Sequence, residues 1–220
     1  MRDCIGGVIL YDETINQISS SGKSIPELIS ASGAVPGIKV DTGAKNLANS
    51  PEEKITEGLD GLRERLKKYY ELGARFTKWR GVYSISNNYP SKLAIHSNAH
   101  ALARYAALVQ ECEMVPIVEP EVLMDGDHSA DECLKKTSEV IKKCFEDLIL
   151  HKIQVYRHLL FNSSVFLPRA HSIISNASIV FFIMVCFDAY IKWHTTISIC
   201  IFLEVQVYNY IEDPSNHTLM

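Results

Sequence analysis

Short apolar runs and longer amphipathic stretches alternate along this chain, and each kind predicts its own element. Ile5–Leu10 (IGGVIL), Gly37–Asp41 (GIKVD), Phe76–Arg80 (FTKWR) and Val115–Val118 (VPIV) are brief and mostly apolar. That is the form of strands buried on both faces, as in a parallel sheet. Gly33 and Gly37 bracket the turn into the second run. Ser24-Ile25-Pro26-Glu27 and Ser50-Pro51-Glu52-Glu53 each join a serine cap, an early proline and a glutamate three residues after the cap, the pattern of a helix start. After the second of these, Ile55, Leu59, Leu62, Leu66 and Tyr69 recur at spacings of four, three, four and three, one apolar stripe ending at Gly73. Pro90-Ser91 opens a further amphipathic helix through Leu93, Leu102, Ala106 and Val109. Ser129-Ala130-Asp131-Glu132 is a capping box for another helix, whose stripe is Cys133, Thr137, Val140, Cys144 and Leu148.

Strand and helix thus alternate four times, about 30 to 40 residues apart, the βαβ rhythm of a parallel sheet. The expected class is α/β, with about four βα units over residues 1–153 and an irregular apolar tail over 154–220. All eleven glycines lie in the first 126 residues, so the tail has none for tight turns. The last 66 residues hold eleven of the twenty aromatics and only seven charged side chains. Ile179–Phe187 is an unbroken run of nine apolar residues, and Ile197–Leu203 is broken only by Ser198; neither reaches the ~20 residues that span a bilayer, so no membrane crossing is expected. Exposed, these runs would be an aggregation hazard.

Composition narrows the function. A chain of 220 residues, 47% apolar, buries a sizeable core, and a net charge of −4 makes no case for nucleic-acid binding. Six cysteines without a CxxC pair read as structural thiols of a reducing cytosol. The N-terminus, with Asp3 and a short apolar run, does not read as a secretory signal, so the sequons at Asn162, Asn176 and Asn216 carry no weight.

The chemistry gathers where strands end. Val115-Pro116-Ile117-Val118 stops abruptly in Glu119 and Glu121, and carboxylates at the carboxyl end of a buried strand sit where barrel enzymes keep their active sites. Lys39 and Lys78 each lie inside an otherwise apolar strand, with Arg80 two residues further on. Lysine is seldom buried without a partner or a ligand. Structural ion pairs, Lys39 with Asp41 or Lys78 with Glu121, would account for them. Two lysines and Arg80 near two glutamates would also suit an anionic, phosphorylated substrate, with Glu119 as general acid or base. His96 and His100 share a helix face but lack a third metal ligand, and Asp125-Gly126-Asp127-His128 reads as the turn before the Ser129 cap, so no metal is expected. No GxGxxG, Walker loop or GxSxG occurs.

In this order and spacing, GVILYDET, PGIKVDTG, EGLDGL, ARFTKWRGV, ALARYAALVQ, VPIVEPEVL and DGDH closely resemble class I fructose-1,6-bisphosphate aldolase, from about Ile5 to Ile153. The resemblance implies a partial (β/α)8 TIM barrel, these segments forming its second to fifth strands. It implies the reversible cleavage of fructose 1,6-bisphosphate to dihydroxyacetone phosphate and glyceraldehyde 3-phosphate, through a lysine Schiff base and without metal or cofactor. Carried over by resemblance, Lys39 lines the phosphate pocket, and Arg80 matches the substrate-binding arginine beside the fourth-strand lysine. Lys78 contacts substrate hydroxyls and assists carbon–carbon cleavage. Glu119 transfers protons during carbinolamine dehydration, and Glu121 pairs with the active-site lysines. The family's first strand, with its aspartate, would lie before Met1. Its Schiff-base lysine should follow soon after Ile153, where Gln154–Asn162 has no lysine, and the tail reads as sequence joined on from another reading, such as a retained intron. An impaired or inactive cytoplasmic aldolase chain is therefore expected, a plastid home staying open, from a family of homo-oligomers. The competing expectation is a non-catalytic half-barrel that pairs with a full-length subunit.

Overall fold

A computed structural model describes residues 5–86, 88–154 and 183–184 of the chain. Four of the apolar runs form parallel neighbours: β1 (Gly7–Leu10), β2 (Val35–Lys39), β5 (Phe76–Tyr83) and β6 (Val115–Val122), in that order across one sheet. The two-residue β7 (Ile183–Met184) pairs antiparallel with Val118 and Ile117 on the far edge of β6; the rest of the tail lies outside the described residues. Between the parallel strands run α1 (Asp12–Ile15), α2 (Ile25–Ala31), α3 (Leu62–Glu71) and α4 (Lys92–Glu111), and α5 (Ala130–Leu150) follows β6. Four βα units make this a partial barrel.

The caps read from the sequence form at three of the four starts. Ser24 and Glu27 close a reciprocal capping box on α2, the Ser24 N–H reaching Glu27 Oε2 at 2.7 Å. Ser91 Oγ accepts from the Ala94 N–H at 3.2 Å, and Ser129 Oγ from the Glu132 N–H at 3.2 Å. The fourth start is overturned. Ser50–Glu57 is not a helix but strand β4, which pairs antiparallel with β3 (Gly43–Leu47), and the helix begins only at Leu62. Gly58 and Gly61 sit at φ +128° and +61°, conformations that break a helix there, so only Leu62, Leu66 and Tyr69 of the predicted stripe reach the core on that helix. Ser50 does bond Glu53, at 2.9 Å, but inside the hairpin, where Glu53 also accepts the Ser91 N–H at 2.7 Å and ties the hairpin to the start of α4. Thr56 completes the brace, its hydroxyl donating to Arg80 O at 2.6 Å and its N–H to Asn98 Oδ1 at 3.1 Å. One further position on a predicted stripe, Leu93, lies on the outer side of α4 at 50% exposed.

Parallel strands alternate their side chains between two faces. Leu10, Ile38, Val40, Trp79 and Val118 point to one face and pack with Leu62, Leu66, Leu102, Tyr105, Val109 and Leu148 in the main core. The other face carries Ile9, Val35, Gly37, Lys39, Phe76, Lys78, Arg80, Ile117, Glu119 and Glu121, related by the strand register. This face is open at β1 and the start of β2, where Ile9 and Val35 remain 38% and 43% exposed, and closed at β6, where Ile117 and Glu119 are buried. Gly37 is not a turn residue but an interior position of β2, beside Phe76 in register. A Cβ added there would lie 2.3 Å from the Phe76 ring. Gly37→Ala is therefore expected to cost about 2 kcal/mol through forced displacement of the ring. Urea unfolding reads this, and an unchanged midpoint would mean that the ring swings freely onto the open face. Among the described residues no helix is long and apolar enough to cross a membrane.

Candidate functional site

The open face gathers three ion pairs from three adjacent strands. Lys39, at the end of β2, bonds Asp41 Oδ1 two residues further on. On β5, Lys78 Nζ lies 3.0 Å from Glu119 Oε2, and Arg80 Nε lies 3.0 Å from Glu121 Oε2. The sequence allowed Lys78 to pair with Glu121; the structure pairs it with Glu119 instead. Register gives the reason. Lys78 stands beside Ile117 and Arg80 beside Glu119, so each β5 cation reaches the carboxylate two positions ahead of its register partner. Lys39 reaches forward by the same two residues within its own strand. Side chains in strands lean along the strand direction, and here all three lean toward the carboxyl ends.

Burial grades the pairs. Glu119 and Asp41 are nearly sealed, whereas Arg80 is half exposed and its link to Glu121 is of the kind worth least. Burial raises the Glu119 carboxyl above its ordinary value, with Lys78 pulling the other way. Behind the sheet, Tyr105 supports the same strands: its hydroxyl meets Thr77 Oγ1 at 2.5 Å and Ile117 O at 3.3 Å. Burial pushes that phenol far above its ordinary range, so it stays neutral.

All five candidate residues therefore lie on one face of β2, β5 and β6. Sequence reasoning missed what braces them: Glu53, Thr56 and Asn98, which hold the β3–β4 hairpin against β5 and α4. An asparagine in a helix carries no signal of a partner more than forty residues away. The other candidates lie apart from this group. His96 and His100 stand 6.3 Å apart ring to ring on α4, and His100 meets His151 edge-on at 5.1 Å. Among the described residues no group of His, Cys, Asp or Glu is arranged to hold a metal ion. Asp125–His128 lies in the loop from β6 to α5.

The arrangement offers fixed donors and a buried carboxyl raised above its ordinary value on one face of the sheet, chemistry that fits a polyhydroxylated anion. The sequence profile of class-I fructose-bisphosphate aldolases matches residues 1–178. The cytosolic fructose-bisphosphate aldolase 6 of Arabidopsis thaliana is 50% identical over 157 residues, covering 71% of this chain and 44% of that protein. A probable fructose-bisphosphate aldolase class 1 of Xanthomonas axonopodis pv. citri (strain 306) is 53% identical over 145 residues, 66% of this chain and 43% of the relative. Among solved structures, fructose-bisphosphate aldolase from Plasmodium falciparum, in complex with TRAP and a small-molecule inhibitor, superimposes with a TM-score of 0.64 at 46% identity, over 66% of this chain and 42% of that one. The chain spans less than half the length of these relatives.

Proposed function

The chain belongs to the class-I fructose-bisphosphate aldolase family, and we propose that its three strand-end ion pairs bind a sugar bisphosphate, fructose 1,6-bisphosphate, without turning it over. The observation that supports binding is the convergence of Lys39, Lys78 and Arg80 on one face with a buried Glu119 whose carboxyl is raised above its ordinary value. In this reading Lys39 and Arg80 contact phosphate oxygens, a task suited to a point charge and a planar fork respectively. Lys78 and Glu119 face the carbon chain. Glu119 moves a proton to or from a substrate oxygen, aided by burial that raises its carboxyl above the ordinary value. Glu121 orients Arg80. The five residues named here all lie within residues 1–153, the span that resembles the family.

What is missing is the nucleophile. Cleavage by this family's route needs an amine that forms an imine with the substrate carbonyl, and the sequence has no lysine between Lys152 and Lys192. Lys39 and Lys78 are held on carboxylates, and a reacting group misplaced by ~1 Å loses ~10²-fold in rate. Borohydride reduction with dihydroxyacetone phosphate is therefore expected to trap no covalent adduct, while calorimetry detects saturable binding of fructose 1,6-bisphosphate. An adduct at one per chain would overturn the first half of this reading, and absence of binding the second.

The uncovered sheet face, with Ile9 and Val35 exposed, favours one alternative, a non-catalytic half-barrel that pairs with a full-length subunit. Co-purification with intact aldolase, without adduct formation, is the result that distinguishes it.

A further inference from the structure

We propose that Asp41 is a positioning residue, which fixes the Lys39 ammonium as a directed donor on the open face of the sheet. The proposal rests, for the ligand it serves, on the reading of the site as a sugar-bisphosphate site.

Lys39 and Lys78 are register partners on neighbouring parallel strands, so their side chains leave the same face about 5 Å apart at the backbone. Two ammonium groups so placed repel one another. Each is held by a buried carboxylate, Lys39 by Asp41 two residues ahead in the chain and Lys78 by Glu119 of the next strand. Glu119 belongs to the neighbouring strand β6, but Asp41 follows Lys39 in the chain and is anchored separately. Its Oδ1 accepts both the Lys39 ammonium and the Gly43 N–H, the latter at 3.1 Å. Its backbone carbonyl lies 3.5 Å from the same Lys39 nitrogen. The side chain is 3% exposed, and Oδ2 is buried with no hydrogen-bond partner among the described residues. Drawing the cation away would leave a buried charge unpaired, so the pair is not one a ligand pulls apart.

Gly43 opens the β3–β4 hairpin, which is held to the sheet at Thr56 and Asn98. Asp41 therefore links the flexible stem of Lys39 to a rigid brace. An ammonium has three donors. Two are turned toward Asp41, and the third is left for an anion on the open side, at an angle that a mobile lysine would hold only part of the time.

The full chain, with Asp41→Asn and Asp41→Glu, tests this through two readouts. One is calorimetry with fructose 1,6-bisphosphate; the other is mass-spectrometric scoring of lysine acetylation by acetic anhydride, with the exposed Lys23 as internal standard. Asparagine can still accept the Gly43 N–H, so a merely structural Asp41 would leave both readouts near wild type. The expected result for D41N is an affinity about tenfold weaker, the loss of roughly one charge-assisted hydrogen bond, with Lys39 acetylated several-fold faster relative to Lys23. D41E, which restores the charge one methylene further out, should recover part of both, and carries the test alone should D41N fail to fold. Wild-type affinity in D41N, or unchanged Lys39 acetylation, overturns the proposal. Failure of the wild-type chain to bind the bisphosphate overturns the ligand reading, while faster Lys39 acetylation in D41N would still support the hold of Asp41 on Lys39.

Discussion

Replacing Lys78 with methionine is expected to destabilise the fold by about 3 kcal/mol at pH 8 and by much less at pH 5. Removing one partner of a buried pair leaves the other charge uncompensated, at a cost of roughly 3–5 kcal/mol, and the partial exposure of Lys78 argues for the lower end. The pH dependence follows from Glu119. Its carboxyl is already raised above the ordinary value by burial, so the folded state holds the proton more tightly than the unfolded chain does. Such a group favours folding below the ordinary carboxylate range, and that contribution is lost as pH rises through the raised value. Taking away Lys78 removes the opposing pull and raises the carboxyl further. At pH 8 the variant then either buries a bare carboxylate or takes up a proton against the solution. At pH 5 the proton is much more readily available and the deficit shrinks. Urea unfolding of both proteins at the two pH values measures this; a deficit equal at both would assign the loss to packing around the lysine stem and not to the Glu119 charge.

Trp79→Ala is expected to cost about 4 kcal/mol, the usual scale for deleting a large buried ring. Trp79 is fully buried, its ring 5.3 Å from that of Tyr105, and it joins the β5 strand to the α4 layer. It also lies between Lys78 and Arg80 in sequence, so collapse of the strand toward the cavity moves both cations and should weaken bisphosphate binding as well. Trp79→Phe should cost well under half as much. The indole Nε1 is buried without a hydrogen-bond partner among the described residues, so phenylalanine keeps an aromatic ring against Tyr105 and strands no polar group. Equal losses for the two variants would show that an interaction of the indole nitrogen, and not ring volume, holds this position.

These two neighbouring residues also mark how far the chain could be read without coordinates. Period and composition are local properties, so the four parallel strands, the serine caps at Ser24, Ser91 and Ser129, and the buried Leu62, Leu66 and Tyr69 were all expected from residue order. The gathering of Lys39, Lys78, Arg80, Glu119 and Glu121 followed from the same reading, because side chains at the ends of adjacent parallel strands have few other places to go. Ser50 failed because the helix-start pattern competes with a hairpin of equal local merit. Pairing with β3, the Glu53 contact with Ser91, and the conformations of Gly58 and Gly61 decided that contest. The partner of Lys78 likewise depended on strand register, which one strand's sequence does not contain. Tertiary structure alone chose Glu119 over Glu121 and joined Thr56 to Arg80 and Asn98, since each of these depends on where separate segments meet in space.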